Sequence, residues 1–191
     1  MHKSSLSRRD FMLLGAGAAA AGIAAKVTVL EPKALWASAR PVPPSDVVRF
    51  ASIGTGVRGC ELLKSSVSVP GIECVGVCDL YDSRHEAAQE AVGKRVPATR
   101  NYHDILNRND VDAVIVAVTD HHHRKVVEDA CAAGKDVYCE KPMSHTVEDG
   151  FAIIDAVQKN KRILQVGSQR VSSILYAKAK EIYDSGKLGE V

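Results

Sequence analysis

The sequence lacks an excess of charge of either sign. Its 191 residues include 25 Lys and Arg against 23 Asp and Glu, and hydrophobic residues make up 46% of the chain. These values exclude an acidic or basic disordered tail, a collagen-like repeat and a polytopic membrane protein. No internal repeat is present, and low-complexity sequence is confined to the N-terminal leader. Because nucleic-acid binding normally needs clustered Lys and Arg, the balanced body of the chain argues against it.

Paired cysteines are also absent. The five cysteines are an odd number and contain no Cys-x-x-Cys pair: Cys60, Cys74, Cys78, Cys131 and Cys139. Cys74 and Cys78 lie four positions apart on a predicted strand, which separates their Cα atoms by about 13 Å, too far for a disulfide. A zinc site would need paired ligand spacing. We therefore expect buried free thiols and no metal.

The first 39 residues have the pattern of an export signal. They carry five basic against two acidic residues, whereas residues 40–191 carry 20 against 21. Paired Arg8 and Arg9 precede an uncharged stretch over 11–25, and a small-x-small site ends at Ala39. This pattern predicts a Tat signal peptide over 1–39, recognised by the Tat translocase, and a periplasmic or otherwise extracytoplasmic protein. The apolar run is shorter than the roughly 20 residues of a membrane span, although an uncleaved anchor is the alternative.

The body of the chain alternates short apolar runs with helical segments. A Pro-rich linker over 40–45 precedes it. Strands are predicted near 47–53, 73–78, 98–102, 112–117, 136–139 and 162–166. Helices are predicted near 57–66, 83–92, 104–108, 123–133, 147–160 and 173–185, with Ser83 and Thr146 as caps. Because helices separate the strands, the pattern predicts an α/β fold with a doubly wound, Rossmann-type parallel sheet over 46–185.

A glycine motif follows the first predicted strand. Gly54, Gly56 and Gly59 form G-x-G-x-x-G at the start of a helix, in the context that dinucleotide binding requires. The first glycine permits a tight turn, the second lets a pyrophosphate approach the backbone, and the third allows close helix packing. The helix N-terminus then offers N–H groups to the phosphates. We predict cofactor contacts along the whole run, with a structural glycine turn as the alternative: Gly54, Thr55, Gly56, Val57, Arg58 and Gly59.

Asp79 ends the second strand, 20 residues after Gly59. A carboxylate at this distance can accept both adenosine-ribose hydroxyls and would repel a 2′-phosphate. This favours NAD over NADP, although Arg84 lies close enough in sequence to leave NADP open.

Two more loops follow predicted strands, where ligands of open α/β sheets bind. The first runs from Thr119 to His123, and we predict cofactor contacts for Thr119, His121 and His123, or helix capping by Asp120. Adjacent histidines point in different directions, which argues against a metal site. The second is Glu140-Lys141-Pro142, in which a lysine held near a substrate oxygen could polarise it or take its proton. Pro142 can stiffen that turn through a cis peptide bond.

Taken together, these elements resemble the N-terminal domain of the Gfo/Idh/MocA oxidoreductases, the group of glucose–fructose oxidoreductase and inositol dehydrogenase. The resemblance covers roughly 46–191, and its most specific part is AAGKDVYCEKP over 132–142, followed by QVGSQR over 165–170. It implies an NAD(P)-binding Rossmann domain followed by an α/β substrate domain, and hydride exchange with a sugar, inositol or similar polyol. By position it makes Lys141 the catalytic lysine that contacts substrate and nicotinamide, with Glu140 among the cofactor-binding residues.

The resemblance also has departures. The family loop often reads Thr-Pro-Asp-His-Trp-His, whereas this chain has Val118 to His123 without the proline and tryptophan. Residues 186–191 resemble the family's junction to the second domain. We expect that second domain to be missing from this chain. An NAD-binding module without turnover is therefore the alternative function, and homo-oligomerisation of a full-length form stays open.

Overall fold

The computed structural model describes residues 46–170 and 173–189. The predicted signal peptide and linker lie outside these residues, and the predicted domain boundaries stay predictions. Residues 48–67 and the described residues from 72 onward form one compact unit. None of the described helices is both long and apolar enough to cross a membrane.

Strands and helices alternate through the described residues. The strands are β1 (Val48–Ile53), β2 (Ile72–Cys78), β3 (Ala98–Thr99), β4 (Ala113–Val116), β5 (Asp136–Glu140) and β6 (Leu164–Gly167). The helices are α1 (Val57–Ser66), α2 (Asp82–Val92), α3 (Tyr102–Leu106), α4 (Asp120–Ala132), α5 (Val147–Asn160) and α6 (Ile174–Asp184).

The strands form one parallel sheet in the order β3-β2-β1-β4-β5-β6. The chain builds outward from β1 in one direction and then returns to build outward from β4 in the other. The predicted doubly wound, Rossmann-type sheet is therefore confirmed. The reversal places β1 beside β4 and leaves a crevice beyond their carboxyl ends.

Apolar side chains cover both faces of the sheet because successive residues of a strand point to opposite sides. On β4, Val114 and Val116 face one core cluster and Ile115 faces the other. The first cluster includes Val127 of α4 and Ile153 of α5. The second is built against α1 and α2 by Leu62, Leu63, Ala88, Ala91 and Val92. Burial on both faces explains the continuous apolar run of β4 in the sequence.

Several element ends differ from the predictions. Helix α4 begins at Asp120, three residues before the predicted start, and Thr119 rather than Asp120 is its N-cap residue. Helix α2 begins at Asp82 after Tyr81, so the predicted cap at Ser83 is wrong. The predicted cap at Thr146 is confirmed, because its hydroxyl accepts the Asp149 N–H at 3.1 Å.

The cysteines behave as the spacing predicts. All five are free thiols, four of them buried and Cys60 half-buried. Burial, followed by the charge of Asp79, raises the pKa of Cys78 to about 12. Burial, followed by the charge of Glu140, raises the pKa of Cys139 to about 12. These thiols are core residues.

Helix α6 differs from the other helices within the described residues because none of its residues is buried. Its exposed apolar side chains include Ile174, Leu175 and Tyr183.

Candidate functional site

The predicted site residues meet at one edge of the sheet. Gly54 follows β1, Asp79 follows β2, Thr119 lies in the loop after β4, and β5 ends at Glu140 just before Lys141. All of these strands are parallel, so their carboxyl ends share an edge. The arrangement brings loops that are far apart in sequence around the crevice between β1 and β4.

The three motif glycines have different local geometry. Gly54 has φ +88°, and a Cβ there would lie 2.6 Å from the Ala117 carbonyl carbon. A Cβ on Gly59 would overlap the Gly54 carbonyl group. A Cβ on Gly56 would meet no atom within 4 Å. Gly54 and Gly59 are therefore required by the fold, whereas Gly56 faces open space, where a ligand can reach the backbone.

The N-terminus of α1 lies at this open space. Gly56 is the N-cap residue, and the first N–H groups of a helix have no partner within the helix. The first turn of α1 has no acidic residue, whereas the first turns of α2 to α5 each contain at least one. The positive end of the α1 dipole is therefore not offset by a carboxylate of that turn. This geometry fits a pyrophosphate, and the predicted contact residue Val57 beside it is exposed.

Asp79 is held in place by backbone groups. One carboxylate oxygen accepts the Thr55 N–H at 2.8 Å, and the other accepts the Tyr81 N–H at 3.1 Å. The hydroxyl of the buried Thr55 lies 3.3 Å from Asp79 Oδ2, the oxygen that accepts the Thr55 N–H. It also lies 3.3 Å from the carbonyl oxygen of Arg84. Asp79 Oδ1 accepts the Tyr81 N–H and keeps further acceptor capacity, so the fixed carboxylate can accept a hydrogen bond from a ribose hydroxyl.

Arg58 joins the glycine loop to the end of β5. Its Nε donates to Glu140 Oε1 at 2.7 Å, and its Nη1 donates to Glu61 at 2.9 Å. The Glu140 side chain is only 5% exposed, and its second oxygen accepts the Lys141 N–H at 2.9 Å. Burial by itself lowers the pKa of Arg58, but the hydrogen bonds to Glu61 and Glu140 outweigh it and the pKa is raised.

His123 joins the loop after β4 to the Glu-Lys-Pro turn. Its side chain is buried, with Nδ1 2.7 Å from the Pro142 carbonyl oxygen and Nε2 3.2 Å from the Val118 carbonyl oxygen. The Lys141–Pro142 peptide bond is cis, as the sequence suggested. A cofactor contact by His123 stays a prediction. Its geometry supports an indirect role, because it holds two loops of the site together.

The remaining predicted residues of this edge are exposed. Lys141 lies just after β5, and Thr119 and His121 lie at the start of α4. His122 was not predicted as a site residue, but its Nδ1 lies 2.9 Å from the Thr119 hydroxyl and its ring centroid lies 4.2 Å from that of His121. Among the described residues, no group of three or more His, Cys, Asp or Glu is arranged to hold a metal ion.

Tyr138 and Gly167 pack against Glu140 of the candidate site, which the sequence did not indicate. A Cβ on Gly167 would lie 2.8 Å from the Tyr138 hydroxyl and 3.0 Å from Glu140 Oε1, so the three groups pack closely. Burial, followed by the charge of Glu140, raises the pKa of Tyr138. The run over 165–170 was visible in the sequence, but nothing there linked it to Glu140.

The site as a whole combines three chemical capacities. The open glycine turn can receive an anion, the fixed carboxylate of Asp79 can accept a hydrogen bond from a hydroxyl group, and the ammonium of Lys141 can contact an oxygen of a bound molecule. Along the sheet edge these capacities follow the strand order β2, β1 and β5. A dinucleotide needs such an arrangement, since it has a ribose, a pyrophosphate and a reactive ring in sequence.

Comparison with known proteins agrees with this geometry. Residues 48–168 match the model of a family described as an oxidoreductase family with an NAD-binding Rossmann fold, GFO_IDH_MocA. Among curated proteins, the chain is 36% identical over 140 residues to inositol 2-dehydrogenase of Salmonella paratyphi B. That match covers 72% of this chain and 42% of the relative. The chain thus spans less than half the length of this relative.

Solved structures give the same fold. Myo-inositol 2-dehydrogenase from Lactobacillus plantarum matches with a TM-score of 0.67 and 28% identity, over 76% of this chain and 43% of that one. Scyllo-inositol dehydrogenase from Lactobacillus casei, solved with bound NAD(H) and scyllo-inositol, matches with a TM-score of 0.66 and 21% identity. That match covers 75% of this chain and 43% of that one, and at this identity it shows the fold alone.

Proposed function

Because this chain belongs to the GFO_IDH_MocA oxidoreductase family, with an NAD-binding Rossmann fold, we propose that it is the cofactor-binding half of a polyol dehydrogenase. The complete enzyme transfers hydride between a nicotinamide cofactor and a carbon of inositol, a sugar or a similar polyol. The inositol dehydrogenases among its relatives support this substrate class. The exposed apolar side chains of α6, a helix with no buried residue, support the proposal that this half packs against further polypeptide.

The observation that carries the proposal is the open space at Gly56. A Cβ there meets nothing within 4 Å, at a helix N-terminus without acidic residues in its first turn. The pyrophosphate would be held by the backbone of the Gly54–Gly59 turn, and the adenosine ribose by Asp79. The fixed Asp79 carboxylate favours NAD, because it would repel the 2′-phosphate of NADP.

The nicotinamide supplies the hydride acceptor or donor when it is bound. The chain's own contribution to the chemistry is the exposed ammonium of Lys141, which can donate a hydrogen bond to the reacting oxygen and stabilise negative charge on it. The Glu140 carboxylate accepts the Lys141 N–H, and His123 binds the Pro142 carbonyl group, so the backbone is held on either side of this lysine. Thr119, the N-cap residue of α4, and His121, in the first turn of that helix, follow the neighbouring strand β4, where they can line the nicotinamide end.

A cofactor titration tests the proposal directly. NADH binding to the purified chain is followed by fluorescence, with Gly56→Val as the variant. We expect wild type to bind and Gly56→Val to lose at least about 100-fold in affinity, because the added side chain occupies the approach to the backbone. Unchanged affinity in the variant would show that the phosphate-loop assignment is wrong.

Turnover separates the enzyme from the non-catalytic alternative. NADH formation is measured with a panel of inositols and aldoses, using wild type and Lys141→Ala in the longest natural form of the protein. We expect Lys141→Ala to lower kcat at least about 100-fold with little change in NADH affinity, since proton transfer and charge stabilisation supply such factors. Binding without turnover in the longest form would favour the NAD-binding module instead.

The proposal includes export by the Tat pathway. It is motivated by the paired Arg8 and Arg9 ahead of an uncharged stretch. We expect Arg8→Lys/Arg9→Lys to remain in the cytoplasm, whereas the wild-type chain reaches the periplasm only in cells with a working Tat translocase. Export of both forms would contradict this part of the proposal.

A further inference from the structure

A buried carboxylate lies between the two loops of the site. The Glu140 side chain is 5% exposed and sits where the glycine loop, β5 and β6 come together. Burial of an ionised carboxylate is costly unless it is paired and hydrogen-bonded. Among the described residues, the basic side chain that forms an ion pair with Glu140 is Arg58, at 2.7 Å. Arg58 is also the second residue of α1, one position from the open end of the helix.

The Glu140 carboxylate also forms a hydrogen bond with the backbone of Lys141, the proposed catalytic lysine. Its Oε2 accepts the Lys141 N–H at 2.9 Å, while Oε1 is held by Arg58. On the β6 side, Gly167 leaves only enough room for Glu140 and the Tyr138 hydroxyl. The carboxylate therefore has a defined position, with Arg58 on one side and the start of the Glu-Lys-Pro turn on the other.

We infer that Arg58 is a positioning residue for Lys141 that acts through Glu140. Its guanidinium neutralises the Glu140 carboxylate at the site of an anionic cofactor, and it holds that carboxylate where it fixes the Lys141 backbone. Without this cation, the buried negative charge would oppose the approach of a pyrophosphate, because charges interact strongly in a water-poor crevice. The inference rests on the proposed function for the identity of the anion.

The alternative role for Arg58 is direct contact with a phosphate, as the sequence analysis predicted. The two roles differ in their dependence on Glu140. A direct phosphate ligand is lost in Arg58→Met whatever stands at position 140. A residue that acts through Glu140 becomes dispensable once that side chain carries no charge.

A double-mutant cycle on NADH affinity separates these roles. The variants are Arg58→Met, Glu140→Gln and their combination, with Glu61→Gln as the matched control because Glu61 is the exposed partner of Arg58. We expect Arg58→Met to weaken NADH binding at least about tenfold. The combined variant should bind within about threefold of Glu140→Gln alone, and the control within about twofold of wild type. Equal losses from Arg58→Met in both backgrounds would overturn the inference.

A second measurement does not depend on the cofactor. In ¹⁵N-lysine-labelled protein, the Lys141 amide resonance reports on its hydrogen bond to Glu140. We expect Arg58→Met to shift that resonance and Glu61→Gln to leave it in place, while Arg58→Lys, which keeps the cation, restores most of the wild-type position. An unmoved Lys141 amide in Arg58→Met would overturn the inference even if affinity fell.

Folding of the variants is itself informative. An unpaired buried carboxylate destabilises a protein strongly, so Arg58→Met alone can fail to fold, and the combined variant should then regain a cooperative melting transition. A combined variant that also fails to fold would refute the coupling. If wild type does not bind NADH, the proposed function fails, whereas the amide measurement still tests the link between Arg58 and Lys141.

Discussion

A side chain added at Gly59 should lower the stability of the protein, whereas one added at Gly56 should lower its affinity for NADH. In Gly59→Ala the new Cβ overlaps the Gly54 carbonyl oxygen and lies 3.0 Å from its carbonyl carbon. Both atoms are backbone, so no side chain can move aside, and α1 must shift away from the turn. Overpacking of this kind costs typically 1 to 3 kcal/mol, and we expect a loss of about 3 kcal/mol in the free energy of unfolding.

Gly56→Ser should have the opposite profile. The Gly56 backbone has φ −64° and ψ −168°, which any residue adopts, and a Cβ meets nothing within 4 Å. Serine is also a good N-cap residue, so the unfolding free energy should stay within about 0.5 kcal/mol of wild type. NADH affinity should nevertheless fall about tenfold, because the side chain enters the space in front of the helix N-terminus.

Urea unfolding and NADH titration of both variants check this pair of expectations. The contrast matters more than either value: Gly59→Ala loses stability, and Gly56→Ser loses cofactor. Equal destabilisation by the two substitutions would show that the space at Gly56 is filled in solution. A stable Gly56→Ser that binds NADH as wild type does would show that the pyrophosphate does not approach this glycine.

Three other predictions follow from single residues. Asp79→Ala should raise the affinity for NADPH relative to NADH at least about tenfold, since it removes a carboxylate that repels the 2′-phosphate. An unchanged ratio of the two dissociation constants would show that Asp79 does not determine cofactor choice. Lys135→Met should lower the free energy of unfolding, measured by urea denaturation, by about 2 to 4 kcal/mol. The reason is that the buried Lys135 ammonium donates hydrogen bonds to the carbonyl oxygens of Arg108 at 2.6 Å and Val111 at 2.9 Å. An unchanged stability would mean that water takes the place of the ammonium. In the native protein, Cys60 should be the first cysteine to react with a thiol reagent, because the other four are buried. Burial raises the pKa of the Cys60 thiol, so the rate of this reaction should increase about tenfold between about pH 7 and pH 8. Earlier reaction of one of the buried thiols would contradict their assignment to the core.

The fold was predictable because its signals are local. The bounds predicted for α1 agree with the structure, since the helix starts at a glycine turn and its apolar residues Leu62 and Leu63 reach the core. The strand β4 stands out because burial on both faces requires a continuous apolar run. Alternation of such runs with helices of ordinary length leaves few topologies, and the parallel sheet follows from right-handed crossovers.

Element ends were harder to predict where polar residues dominate. The start of α4 is Asp120-His121-His122, which has no apolar periodicity, so the pattern only becomes recognisable from the buried His123 and Val126 onward. The strand β3 is two residues long rather than five. It pairs only with β2 at the sheet edge, and α3 begins early because the Asn101 side chain accepts the His103 N–H.

The sequence located the loops of the candidate site but not the contacts between them. Position after a strand was enough to select the glycine turn, Asp79 and the Glu-Lys-Pro turn. The ion pair between Arg58 and Glu140 joins residues 82 positions apart, and it exists only because the sheet order places β5 two strands from β1. No local pattern carries that information. The buried His123 ring likewise has a hydrogen-bond partner, the Pro142 carbonyl group, that lies 19 positions away in the sequence.

The strand order also gives the sheet edge a direction. From β2 through β1 and β4 to β5 there are three strand intervals, each about 4.8 Å, which together span about 14 Å. Asp79 stands at one end of this span and Lys141 at the other. An elongated molecule lying along this edge would meet a carboxylate at one end and an ammonium at the other, because the strand order separates the two loops that carry them. The polarity of the candidate site therefore depends on the strand order as well as on these two side chains.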